Sequence, residues 1–302
     1  MQICSLLPSG TEILYALDLG GSVVGVTHEC DYPPDAATKP ALIRPRVDPH
    51  AAPAEIDRQV MELVARGESI YSVDADLLER LRPDLIVTQD LCHVCAASPD
   101  DLAAALRRFE KSPRVLSLVP HTLGDVWEDI RCVGEATGKK VEAEALAAEL
   151  ARRVAATEAR TAAAISRPRV LCLEWLDPFY IGGHWVPEMA AKAGGVDALG
   201  AAGEPSRRVT LEEIRKSQPD VIVVMQCGYN AARNAADFEK MPVRQTLAGL
   251  PAIGEGRVFA VDANGYFSRP GPRLADGVEI LAHLLHPELF PETAHGEAIL
   301  KL

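Results

Sequence analysis

Cys92-His93-Val94-Cys95 and His28-Glu29-Cys30 are the segments whose residue types and spacing could build a reactive centre. A Cys-x-x-Cys pair with a further Cys and a His has the donor atoms of a tetrahedral zinc site. One residue separates His28 from Cys30, a tight but workable spacing in an extended loop. His28, Cys30, Cys92 and Cys95 are therefore the candidate metal ligands, with zinc the candidate ion. The same loops also read as reduced thiols or a redox pair lining a polar surface.

A second set of candidates combines rings with amides and cations. Glu174-Trp175-Leu176-Asp177-Pro178-Phe179-Tyr180 and Gly182-Gly183-His184-Trp185 hold two of the three tryptophans. Asn264-Gly265-Tyr266-Phe267-Ser268-Arg269 adds two more rings, an amide and a guanidinium. Aromatic walls with a few polar groups suit a large, flat, partly apolar ligand. Trp175, Trp185, Tyr266 and Phe267 would supply rings, and His184, Asn264 and Arg269 polar contacts. Tyr32, Gln89 and Asp90 are the corresponding candidates in the first half. Gly265 reads as a residue chosen for an unusual backbone angle. Pro270 and Pro272 flank a helix start whose positive end would face the ligand. No serine elbow, phosphate loop or paired zinc-protease histidines occur, so binding without catalysis is expected.

These loops need elements to hold them. Strands are expected at 3–7, 23–27, 85–88 and 114–119, and again at 169–174, 221–226 and 257–262. Ser9-x-x-Glu12 reads as a capping box opening a helix from Gly10 to Leu17. Further helices are expected at 54–66, 76–82, 99–110, 122–137, 186–193, 210–217, 239–248 and 271–285. Residues 141–164 read as one long Ala-, Glu- and Arg-rich helix, a rigid spine and not a loose linker. The stretch from His286 to Leu302 is expected to fray or pack on the surface. Strands alternating with helices give an α/β fold of two lobes with parallel sheets. The predicted boundaries are 1–121 for the first lobe, 122–166 for connecting helices, 167–286 for the second lobe and 287–302 for a tail. Ligands of such sheets bind beyond the strands' carboxyl ends, where the candidate loops lie.

The two halves follow one plan. Leu81-Arg82-Pro83-Asp84-Leu85-Ile86-Val87 returns as Ser217-Gln218-Pro219-Asp220-Val221-Ile222-Val223. In each, a helix end meets Pro-Asp and then a β-branched apolar run. Two similar lobes imply a ligand cleft between them. With 302 residues the chain is long enough for two cores, and its net charge of −12 argues against nucleic acid. No apolar run approaches the ~20 residues of a membrane span. Seven dispersed cysteines suggest thiols in a reducing compartment. Met1 leads directly into a strand with no leader-like segment, so the chain as written is expected to be cytoplasmic, or periplasmic if a leader has been removed.

Several of these motifs together resemble a known family. Ile3-Cys4-Ser5-Leu6-Leu7-Pro8-Ser9-x-Thr11-Glu12, then Val24-Gly25-Val26, Asp31-Tyr32-Pro33-Pro34 and the Pro83-Asp84 element are similar to vitamin B12-binding and ferric-siderophore-binding proteins. The resemblance covers about residues 2 to 286. It implies the class III substrate-binding fold, two Rossmann-like lobes joined by a rigid helix. It implies cobalamin or another corrinoid as ligand, and delivery to an ABC permease if the protein is exported. By position it makes Tyr32 a corrin contact and gives Tyr266 and Phe267 to the opposing loop. It also makes Asp76 and Glu212, each seven residues before its Pro-Asp, the transporter-docking carboxylates. The cysteine and histidine loops are not part of that pattern. They carry the rival expectation of a metal-handling protein or enzyme.

Overall fold

In each half three equivalent residues, Arg82-Pro83-Asp84 and Gln218-Pro219-Asp220, turn a helix into a strand. Arg82 (φ 45°, ψ 56°) and Gln218 (φ 44°, ψ 61°) end their helices in the left-handed conformation. Proline follows and prevents the helix from resuming. The next residue is then an aspartate facing a neighbouring chain segment. Asp84 Oδ2 accepts the Gln2 backbone N–H at 2.7 Å, and the Asp84 N–H donates to the Gln2 carbonyl at 2.8 Å. Asp220 repeats both bonds with Arg169, at 2.7 and 2.8 Å.

The computed structural model describes residues 1–89 and 99–302. They form two compact units. The first comprises Met1–Pro120 and Asp125–Ala148, the second His121–Gly124 and Glu149–Leu302. No helix among the described residues is long and apolar enough to cross a membrane.

The first unit holds β1 (Ile3–Ser5), α1 (Pro8–Ala16), β2 (Val23–Thr27), β3 (Ala41–Pro45), α2 (Pro53–Ala65), β4 (Tyr71–Val73), α3 (Ala75–Leu81), β5 (Leu85–Gln89), α4 (Pro99–Leu106), β6 (Arg114–Leu118) and most of α5 (Leu123–Thr137). Its six-stranded sheet runs β4-β3-β2-β1-β5-β6. All pairs are parallel except β3 with β4. Cys4, Leu6, Leu42, Ile43, Leu78 and Ile86 form a core on it. α6 (Lys140–Thr161) begins in this unit and ends in the second, the division falling after Ala148. The long helix expected over 141–164 is thus present.

The second unit continues with β7 (Arg169–Leu176), β8 (Phe179–Ile181), α7 (Val186–Lys192), β9 (Val196–Asp197), β10 (Arg207–Arg208), α8 (Leu211–Ser217), β11 (Val221–Val224), α9 (Ala231–Lys240), α10 (Val243–Thr246), α11 (Pro251–Gly254), β12 (Val258–Val261), α12 (Ala263–Tyr266), α13 (Leu274–Leu285) and β13 (Ile299–Lys301). Its sheet runs β10-β8-β7-β11-β12-β13, with β9 also pairing β7. The β7-β11-β12 centre is parallel, and Val221 to Val224 are fully buried, as strands covered on both faces must be. Leu171, Leu173, Ile222, Val224, Phe238 and Val258 belong to its main core. Arg153 of α6 fixes that helix to α13 by pairing with Asp276 at 2.5 Å and Glu279 at 2.9 Å.

Four expectations need correction. The sheets are mixed, because the short strands β4, β8, β10 and β13 add antiparallel pairs at or toward the edges. α1 has no side-chain cap: Leu7 holds the cap position and Pro8 supplies the first helical residue. Ser9 lies inside the helix because the proline ring fixes the helical φ one residue earlier. The helix expected over 239–248 is misplaced: α9 starts at Ala231 and ends at Lys240, Met241 is extended, and the short α10 follows. The tail does not merely fray, for Ile299–Lys301 pairs antiparallel with β12.

Two measurements check this account. Asp84→Ala and Asp220→Ala each remove an acceptor of a backbone N–H, and each should cost about 1–2 kcal/mol in denaturant unfolding. Unchanged midpoints for both would mean the clamps are dispensable. The second concerns Asp129 in α5, whose Oδ2 lacks a hydrogen-bond partner. Burial first, then Asp125 and Glu128, push its pKa up to about 7. The folded value exceeds the ordinary 3.8, so the fold is favoured while this group is protonated and loses that advantage as pH rises from 3.8 to about 7. Asp129→Asn should therefore raise stability at pH 8 by on the order of 1–3 kcal/mol, allowing for partial solvent screening, with the gain vanishing near pH 4. Thermal melts across that range would show a constant difference if the titration is irrelevant.

Candidate functional site

The parallel centre of the second sheet sends the segments after β7, β11 and β12 out along one edge. Each is stitched to the next. Glu174 takes a hydrogen bond from Ser206 Oγ at 2.6 Å, and its carbonyl accepts the Cys227 N–H at 3.2 Å. Asn234 Oδ1 accepts the Gln226 N–H at 3.0 Å, while its Nδ2 donates to the Val261 carbonyl at 2.9 Å. The Asn264 N–H donates to the Tyr229 carbonyl at 3.1 Å. These bonds hold a layered group. The Trp175 and Tyr229 ring centres lie 5.5 Å apart, and the Arg233 guanidinium carbon sits 3.8 Å from the Tyr229 ring centre. Arg233 also donates to Tyr229 Oη at 2.8 Å. Asn230 caps α9 by accepting the Arg233 N–H, which fixes Arg233 in the first turn. Burial pushes the Tyr229 pKa up to about 12, so its phenol stays neutral at physiological pH. The two rings are tilted by 50° and Tyr229 is only 6% exposed, so the half-buried indole of Trp175 is the accessible ring face of this group, and such a face suits a flat ligand.

The segment after β12 is arranged differently from expectation. Asp262 caps α12 by accepting the Gly265 N–H at 2.9 Å. Gly265 does not hold the unusual angle expected of it, and a Cβ there would stand 2.9 Å from the mobile end of Arg273 and 3.0 Å from the Asp262 carboxylate. Tyr266 is half-buried, with its ring 5.1 Å from that of His295 and 5.6 Å from the Arg273 guanidinium. Phe267 is 2% exposed and Arg269 6% exposed, so both sit inside the unit. Trp185 is equally internal, and its Nε1 donates to the Phe267 carbonyl at 2.7 Å. These three residues, expected to meet ligand, are packed as supports for the loop. Pro270 and Pro272 precede α13 without starting it, since Arg273 occupies its cap position.

His184 remains accessible. It lies at φ 52°, and its backbone exchanges hydrogen bonds with the 203–204 loop, to the Glu204 carbonyl at 2.5 Å and from the Gly203 N–H at 2.9 Å. Gly183 permits that approach, for a Cβ would come within 2.2 Å of the Ser206 nitrogen. The His184 ring centre is 5.8 Å from that of His121.

In the first unit Tyr32 is 47% exposed, on the segment beyond β2, and Gln89 is half-buried at the end of β5. Asp90, Cys92 and Cys95 lie outside the described residues, so only half of the candidate metal set is described. Cys30 is buried, with its sulfur 3.1 Å from Thr11 Oγ1 and 3.4 Å from Thr27 Oγ1. His28 Nδ1 lies 3.0 Å from the Ile43 carbonyl oxygen, within hydrogen-bond reach. Asp76 and Glu212 each occupy the second position of their helices and are exposed. Asp76 pairs with Arg108 at 2.7 Å and Glu212 with Lys216 at 2.6 Å. Among the described residues, three possible metal-ligating side chains gather within 4.8 Å at Asp276, Glu279 and His295. Arg153 already pairs with both carboxylates, which makes this an ion-pair cluster.

Tyr229, Arg233, Ser206 and His121 were not among the residues singled out by sequence. A signal was present for two of them: Tyr229 and Arg233 stand four apart around an Asn cap, directly after a buried strand.

Comparison with known proteins gives the family of the chain. A vitamin B12-binding protein of Vibrio cholerae is 26% identical over 281 residues, covering 92% of this chain and 86% of the relative. An uncharacterized ABC transporter substrate-binding lipoprotein of Bacillus subtilis is 27% identical over 302 residues, covering 96% and 82%. Among solved structures, the apo periplasmic heme-binding protein of Roseiflexus sp. RS-1 aligns with a TM-score of 0.71 at 25% identity, over 95% of this chain and 98% of that one. Residues 3–264 match the periplasmic binding protein family, and the chain belongs to it.

Proposed function

We propose that this protein binds a corrinoid, or a closely similar flat macrocyclic metal chelate, and presents it to an ABC transporter without chemically altering it. Family membership supports small-molecule binding, and relatives named for vitamin B12 and heme support a macrocycle. The observation that carries the reading is the partly exposed Trp175 ring, held by buried Tyr229 and by Arg233 at the carboxyl edge of the second sheet. A corrin or porphyrin offers a broad apolar face for the indole, and its carboxylate or amide rim suits Arg233 and Asn264. Tyr32 is the contact proposed for the first unit, and Tyr266, His184 and Gln89 are further polar or aromatic contacts. Trp185, Phe267 and Arg269 act behind these residues by fixing the loop. Asp76 and Glu212 are the proposed docking carboxylates, and docking would have to displace Arg108 and Lys216. A zinc centre at the cysteine loops is the weaker alternative, because the Cys30 thiol packs against two hydroxyls.

Calorimetric titration with cobinamide, cyanocobalamin and hemin tests the proposal. One of them should bind, and Trp175→Ala with Tyr229→Ala should weaken it by about 1–4 kcal/mol, the range of buried aromatic contacts. Asp262→Asn, which retains a capping oxygen, should leave the affinity within twofold. Failure of all three macrocycles to bind would discard the ligand class. Binding unaffected by the double variant would discard this face as its site.

A further inference from the structure

We propose that His121 and His184 form a two-imidazole site for a transition-metal centre that has open coordination positions. The rings belong to the second unit, and their centres are 5.8 Å apart at an interplanar angle of 38°. Imidazole nitrogens bound at about 2.0–2.1 Å to one ion place ring centres roughly 4.5–6.5 Å apart over the cis-to-trans range. The observed separation lies within that interval, so the ring spacing matches one ion shared by the two rings.

Both histidines stand on anchored backbone. His184 is clamped by its two hydrogen bonds to the 203–204 loop and followed by Trp185, whose indole is tied to Phe267. The His121–Gly124 segment is tied to α7 through the Leu123 N–H, which donates to Glu188 Oε2 at 2.9 Å. Leu123, two residues after His121, and the backbone of His184 are thus both tied to fixed parts of the second unit, the preorganisation a chelating pair needs. The balance is simple: two nitrogens replace two water molecules, or one labile axial ligand and a water, with no change of oxidation state.

The same chemistry serves two sources, an aqua ion or a metal already held in a chelate. The second rests on the ligand class proposed above; the first stands without it. Tag-free protein is titrated with Cu²⁺, Ni²⁺ and Zn²⁺ in a non-coordinating buffer, and separately with hemin and metal-free protoporphyrin. His121→Gln and His184→Asn are the test variants, asparagine being tolerant of the positive φ at 184. His50→Gln, on an exposed loop, is the control. For an aqua ion, wild type and control should bind one equivalent, with nitrogen hyperfine coupling in the Cu²⁺ spin-resonance spectrum, and each test variant should bind at least tenfold more weakly. For a chelated metal, hemin binding should fall at least tenfold in the test variants while protoporphyrin binding does not change. If neither aqua ions nor hemin bind in a manner that depends on these two histidines, the proposal is wrong. If hemin and the corrinoids fail to bind at all, the macrocycle reading falls and the aqua-ion titration alone decides the histidine pair.

Discussion

A carboxylate that takes the backbone N–H entering a neighbouring strand sets the geometry of both units. Parallel strands cannot be joined by a hairpin, so the chain needs another device to start its first pair in register. The Asp84–Gln2 and Asp220–Arg169 double bonds are that device. They lie immediately before Ile3↔Leu85 and Val170↔Val221, the first paired residues of β1 with β5 and β7 with β11. Side chains alternate across a sheet, so a slip by one residue would turn the apolar faces of Ile3, Ile86 and Leu171 toward the wrong layer. The left-handed Arg82 and Gln218 aim the aspartates, and proline keeps the helices from running past them.

Once the register is set, the strands' carboxyl ends share an edge, and what lies there is decided by hydrogen bonds more than by side-chain identity. Asn234 reaches both β11 and the end of β12, and Glu174 joins two loops through Ser206 and Cys227. The aromatic residues consequently divide into two kinds. Trp185 spends its indole N–H on the Phe267 carbonyl and becomes part of the scaffold. Trp175 keeps a partly open face over Tyr229. The open ring of Trp175 is positioned by buried neighbours as much as by its own strand.

The repeat, the long helix and the central strands were legible because each has a strong local signature: Pro-Asp before a β-branched run, or twenty residues of good helix formers. The two- and three-residue strands β8, β9 and β10 were not, since so short a segment has no periodicity to read. The Ser9 cap failed because a capping box and an N1 proline make competing claims one residue apart, and the ring won. At the site, loop position was readable and side-chain direction was not. Phe267, Arg269 and Trp185 looked like ligand contacts by composition, yet burial depends on partners 82 residues apart, as for Trp185 and Phe267. Gly265 lacks the positive φ expected of it, since the Asp262 cap already turns this segment into α12.

β13 carries a consequence for handling the protein. It lies on β12, whose Val258, Ala260 and Val261 are buried, and it is the outermost strand on that side. Removing it would bare a row of unpaired amides and carbonyls beside an apolar strand, the usual template for intermolecular sheet growth. The three residues Ile299-Leu300-Lys301 thus act as a guard against self-association, with Lys301 placing a charge on the outermost rung. Trimming this segment as a dispensable tail would leave β12 as the new, more apolar edge of the sheet.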